Sequence, residues 1–200
     1  MSDPALALVE FDSIARGIVA GDAMIKTAPL GSIYAGTVHP GKYLVLVSGD
    51  TASVEVALET GMDTGGDSVL DSVFLADVHP AVVAAVVISD DAARLVPEAL
   101  GIVETATVAT VLDAADAGVK AADVTLSAVR LADGLGGKGY ALLSGAVAEV
   151  EASMVAALGR AEQSGALVRH ELVSQLHPEL AANLASDLRF MARARLRPVE

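Results

Sequence analysis

The chain has no cysteine and no tryptophan, and aromatic residues make up only 3% of it. Without a thiol, disulfides, thiolate catalysis, cysteine-ligated zinc and cysteine-ligated iron–sulfur clusters are all excluded. Basic residues are scarce: 13 Lys and Arg stand against 26 Asp and Glu, a formal net charge of −13. Binding a phosphate backbone needs a basic face, so nucleic acid is not an expected partner. The one basic cluster, Arg189, Arg193, Arg195 and Arg197, reads as a solvated helix end and tail. Long apolar runs are missing too. The longest, Ala81 to Ile88, falls far short of a bilayer span, so no membrane partner is expected. The start, Met1-Ser2-Asp3-Pro4, lacks the charged and apolar regions of a secretory signal, and a cytoplasmic location is expected.

What the chain has in quantity is small apolar side chains, within a hydrophobic content of 53%. Cores of Ala, Val and Leu suit thin, closely packed layers. So apolar a chain often hides part of its surface in an oligomer, although composition alone does not separate that reading from a plain alanine bias.

The chain also says nearly the same thing twice. Ala7-Leu8-Val9-Glu10 and Gly21-Asp22-Ala23-Met24-Ile25-Lys26 are answered, 94 residues on, by Gly101-Ile102-Val103-Glu104 and Ala115-Asp116-Ala117-Gly118-Val119-Lys120. Gly41-Lys42 and Ser48-Gly49 return at an offset of 96, and the His-Pro pairs ending at Pro80 and Pro178 at 98. A period this long is a domain duplication and not a solenoid repeat. It divides the chain into a first domain over 1–95 and a second over 96–200, each of roughly 100 residues, a reasonable domain size.

Each copy reads strand, helix, strand, strand, helix, strand and a short closing helix. In the first, Leu6–Phe11 is a strand and Ser13 caps a helix to about Ala28, where Ile14, Ile18 and Ile25 supply apolar positions. Strands Leu30–Val38 and Tyr43–Val47 are hinged by the turn signal His39-Pro40-Gly41. Asp50 or Thr51 caps a helix to about Gly61, Ser68–Ala76 is the last strand, and Pro80 opens the closing helix. The second copy follows with strands at 101–105, 124–132, 139–143 and 167–174. Its helices span 107–121 and 147–163, and a third starts at Pro178. Ser89 to Pro97 reads as the linker. The fold class is α+β: two tandem ferredoxin-like α/β sandwich domains with helices over one face of an antiparallel sheet.

Chemistry is harder to find. Gly134-Leu135-Gly136-Gly137-Lys138-Gly139 resembles a phosphate loop, but that motif needs glycine at 132 and Ser or Thr at 139, where Ala132 and Gly139 stand. It also joins two strands instead of opening a helix. His39, His79, His170 and His177 have no metal-motif spacing, and His79 and His177 sit where they would serve the start of a helix. No nucleophile–base set or acid pair assembles, so no enzymatic activity is expected. Asp22 and Asp116 precede Lys26 and Lys120 by four residues, the spacing of an ordinary helical ion pair.

Leu8-Val9-Glu10 with Gly21–Lys26, the turn Thr37–Lys42, and the second-copy matches Gly101–Thr105 and Gly134–Lys138 resemble bacterial microcompartment shell proteins. The duplication resembles their tandem-domain, trimer-forming class. The likeness runs from about Ala5 to Leu184. It implies a homotrimer that mimics a hexagon, tiled with other shell hexamers and pentamers into the wall of a protein organelle. It puts Lys26 and Lys120 at the tile edge. It puts His39, Pro40, Gly41, Leu135, Gly136 and Gly137 around a central pore. Where single-domain shell proteins carry an arginine near the rim, this chain has Val78 and Leu176. Relatives hold an iron–sulfur cluster through a cysteine at the first-copy turn, and His39 stands there instead. Three roles stay open for His39: a polar pore lining, one ligand of a three-histidine metal site on the trimer axis, or a histidine-held cluster. The second function class is a small-molecule-binding regulatory protein with duplicated ferredoxin-like domains.

Overall fold

The structure is a computed structural model, and it describes residues 5–87 and 98–184. The expected linker, the boundary at 95/96 and the four-arginine cluster lie outside the described residues. Domain 1 runs β1 (Ala5–Phe11), α1 (Ile14–Thr27), β2 (Ser32–Val38), β3 (Lys42–Gly49), α2 (Thr51–Gly65), β4 (Val69–Leu75) and α3 (Pro80–Val87). Domain 2 repeats it as β5 (Ala99–Thr105), α4 (Val108–Ala121), β6 (Thr125–Leu131), β7 (Gly139–Gly145), α5 (Val147–Gln163), β8 (Leu167–Ser174) and α6 (Pro178–Leu184). Each sheet is four-stranded, in the order β2-β3-β1-β4 and β6-β7-β5-β8, and every pairing is antiparallel.

Local chemistry explains the element ends. Ser13 accepts a hydrogen bond from the Arg16 N–H, and Asp50 does the same for Ser53, so both caps satisfy an orphan amide of a first turn. The helix from Thr51 passes through Gly61, where termination was expected, and stops at Gly66, whose φ is 53°. Gly61 survives inside it because Met24 fills the space a Cβ would need, its sulfur 2.6 Å from that point.

Alternation in β1 sends its two sets of side chains to different cores. Ala5, Ala7, Val9 and Phe11 pack under α1 and α2. Leu6 and Leu8 point the other way, into a cluster that also contains Val82 of α3 and Val108, Leu112 and Val119 of α4. The expectation of helices on one face is therefore corrected. Domain 1's second face is covered as well, by its own α3 and by the first helix of domain 2. The two halves share one core.

Candidate functional site

The seam between the halves is built around the N-terminus of α4. Glu10, fully buried on β1, accepts from the backbone N–H of Val108 at 2.8 Å and from Lys42 Nζ at 2.5 Å. Beside it on β4, Asp71 accepts from the hydroxyls of Thr107 and Thr110. Two carboxylates of domain 1 thus meet the positive end of a helix from domain 2, where unpaired amides and the helix dipole favour negative charge. Further along α4 the roles reverse, and the helix supplies the carboxylate. Asp116, 4% exposed, accepts from the His79 N–H at 2.8 Å, and Lys120 donates to the Asp77 carbonyl and to Asp116 Oδ2. Burial is the main reason that Asp113, on the same helix, has its carboxyl pushed above the ordinary value; Arg160 opposes that, while Asp116 and Asp71 add to it.

The hinge lies at the other end of the seam. His39 Nδ1 is 3.0 Å from Asp133 Oδ1, and Lys42 Nζ also donates to the Gly137 carbonyl at 3.4 Å. Gly134, Gly136 and Gly137 take φ of 74°, 64° and 89°, a backbone open to glycine. A Cβ on Gly137 would come within 2.9 Å of Lys42 Nζ and 3.1 Å of Pro40. Within one chain, then, the loops His39-Pro40-Gly41 and Leu135-Gly136-Gly137 are brought together.

The paired lysines differ. Both make the expected i,i+4 ion pair at 2.6 Å. Lys26 and Asp22 are mostly exposed, whereas Asp116 is sealed in the seam. His79 and His177 do serve helix starts: each Nδ1 accepts from the backbone N–H two residues on. Val78 and Leu176, the positions at which the resemblance implies an arginine, are buried at 7% and 4% exposure in apolar clusters. Glu10, Asp71, Asp116 and Asp133 are not among the site residues that the sequence points to. The signals it holds for them are a glutamate inside an otherwise apolar strand, repeated at Glu104, and the Asp22/Asp116 repeat four residues before Lys26 and Lys120. Among the described residues no helix is long and apolar enough to cross a membrane. Among them also, no three His, Cys, Asp or Glu of one chain gather as metal ligands.

Two copies of a four-stranded antiparallel sandwich, joined through a shared core, define a tandem-domain architecture. The family model described as the BMC domain matches twice, at residues 5–78 and 99–176. The chain belongs to the bacterial microcompartment shell proteins. It is 37% identical over 176 residues to the bacterial microcompartment shell protein PduT of Citrobacter freundii, covering 88% of this chain and 95% of that one. A microcompartment protein from Desulfitobacterium hafniense superposes with a TM-score of 0.77 at 40% identity, over 89% of this chain and 98% of that one. The fused permuted hexameric shell protein of the RMM microcompartment gives 0.55 at 23% identity, over 80% and 84%, a likeness of fold.

Proposed function

We propose that this shell protein acts as a homotrimer, six domains forming a pseudohexagonal tile with the hinge loops around a central pore. The observation that carries this reading is a seam present once and prepared twice. Val108, Leu112 and Val119 of α4 are 0 to 7% exposed because domain 1 covers them. Their counterparts on α1, 94 residues earlier, are Ile14, Ile18 and Ile25, which are 40 to 53% exposed. Domain 2 in turn presents Ile102, Val173 and Leu180 where domain 1 uses Leu8, Leu75 and Val82 to receive α4. Among the described residues each chain therefore offers one exposed helix face on α1 and one sheet face of domain 2 that α6 covers only in part, the two parts of a head-to-tail contact that closes into a ring. The relative described as a fused hexameric shell protein accords with a ring of six domains, three chains here.

The tile's neighbours are other shell hexamers and pentamers, and Lys26 and Lys120 stand at its edge, where seams reach the rim. A lysine stem can lie along a neighbouring tile while its ammonium, with three donors, bonds carbonyls across the gap. At the pore, His39 is paired through Nδ1 with Asp133, which leaves Nε2 as the ligand atom, the usual arrangement of a metal-bound imidazole with a carboxylate behind it. Three such imidazoles, one per chain, fit a zinc-type ion. No cysteine is present for an iron–sulfur cluster. The role is structural and not catalytic.

Light scattering on untagged protein should give three times the 20.2 kDa chain, metal analysis of the same sample one ion per trimer, and electron microscopy sheets or tubes. A monomer at all concentrations overturns the tile. It would move the reading to a regulatory protein that holds a small molecule in the apolar cavity of about 280 Å³ beside β2.

A further inference from the structure

The seam inside the chain is a template for the one between chains, and the residues that differ between them carry information of their own. Mapping α4 onto α1 at an offset of 94 puts Ser13 at Thr107, Ile14 at Val108, Arg16 at Thr110, Asp22 at Asp116 and Lys26 at Lys120. On the receiving side the strand registers do the same work. Glu10 is paired with Asp71 on β4, and Glu104 with Arg169 on β8. Asp77 and His79 correspond to Gln175 and His177.

Two parts of this map keep their chemistry. Glu104 is a carboxylate like Glu10 and is already bonded to Lys138 as Glu10 is to Lys42, but its side chain is 31% exposed where that of Glu10 is sealed. Asp22 is as far from its helix end as Asp116, and it is 60% exposed. Both are the open versions of groups that, in the other half, hold a backbone N–H of the neighbouring domain. The third part inverts. Asp71, which accepts from two threonine hydroxyls, is replaced by Arg169. Ala106, just before α4, is replaced by Asp12 just before α1. Base has replaced acid on the receiving side; on the incoming side acid has appeared at Asp12, while Thr110, a donor to Asp71, is replaced by Arg16.

We propose that the seam between copies of this chain is closed by a polar clasp of reversed charge, in which Arg169 of one copy pairs with Asp12 of the next. Around it, Glu104 accepts from the Ile14 N–H and the Arg16 guanidinium, Asp22 accepts from the His177 N–H, and Lys26 reaches the Gln175 carbonyl. The apolar stripe of Ile14, Ile18 and Ile25 covers the second face of domain 2. The occupant is a second copy of the same chain, argued from continuity with the seam already formed and from the complementary charge change. This rests on the trimer reading and adds which side chains hold it.

The test is a double-mutant cycle on the trimer dissociation constant with Asp12→Ala, Arg169→Ala and the double variant. Each single change should weaken association by about tenfold per seam, the scale of a close interfacial charge pair, and so by about a thousandfold in the overall constant of a ring with three seams. The double should be no weaker than either single. Ile18→Glu, on the outer face of α1, should abolish the trimer while far-ultraviolet dichroism stays native. Additive effects in the cycle, or an undisturbed trimer in the single variants, overturn the clasp while the wild-type trimer stands. A trimer that survives Ile18→Glu overturns the surface. A wild-type chain that never associates sinks the tile reading itself, a separate outcome.

Discussion

Glu10 and Glu104 each follow a valine and hold the same place in their sheets, yet one is inaccessible and the other partly open. The difference comes from what each has been given to hold. Glu10 is pressed against the first amides of α4 and against Lys42, whose own side chain is only 17% exposed. Removing one partner of such a buried pair leaves the other charge and an amide without a bond, which costs more than the pair itself contributes. Glu10→Ala should therefore lower unfolding stability by about 3 kcal/mol in urea titration. Glu10→Gln keeps an acceptor for the Val108 amide and should cost visibly less. Glu104→Ala, assayed where the chain is dissociated, should cost under about 1 kcal/mol, as exposed ion pairs do. Equal losses at the two positions would show that burial does not distinguish them.

At the scale of elements, much was legible because the signals were local. Alternating side chains located the strands, Ser13 and Asp50 marked two helix starts, and the duplication confirmed each element by its copy. Ends were less legible where a distant group decides them. The strand predicted to start at 101 begins at Ala99, and that predicted to end at 143 runs to Gly145, because these residues pair with each other across the sheet. The seam was invisible for a similar reason: α1 and α4 have like sequences, and only the presence of a covalently tethered neighbour buries one of them. The burial of α4 also carries a cost. Asp113 stands where α1 has Val19, and desolvation raises its carboxyl above 3.8. A native acid with a raised value binds more protons than the unfolded chain between the two values, so its contribution to stability falls as pH rises through that window. Asp113→Asn should then be more stable than the parent at pH 7, with the advantage vanishing below about pH 3. The same substitution removes the ion pair with Arg160, but at 3.9 Å and partly exposed that pair is too weak to reverse the gain. A variant less stable at pH 7 would assign the dominant role to the Arg160 pair instead.

For the whole molecule, the shared core decides how the chain behaves as a unit. Leu6, Leu8, Val73, Leu75 and Val82 of domain 1 belong to one contiguous cluster with Val103, Leu112, Val119 and Leu143 of domain 2. Opening the seam would bring a large part of both cores into water at about 25 cal/mol per Å² of apolar surface, and would strip Glu10, Asp71 and Asp116 of their partners across the seam at the same moment. Neither half has a way to melt while leaving the other intact. Calorimetry should accordingly show one transition, with no separate transition for either half. Because the folded chains of the proposed tile associate and the unfolded chain does not, the midpoint should climb with protein concentration. Two resolved transitions, each with about half the enthalpy, would mean that the halves are independent domains joined only by a tether, with the seam as a surface contact. A single transition insensitive to concentration would leave the shared core standing and remove the ring.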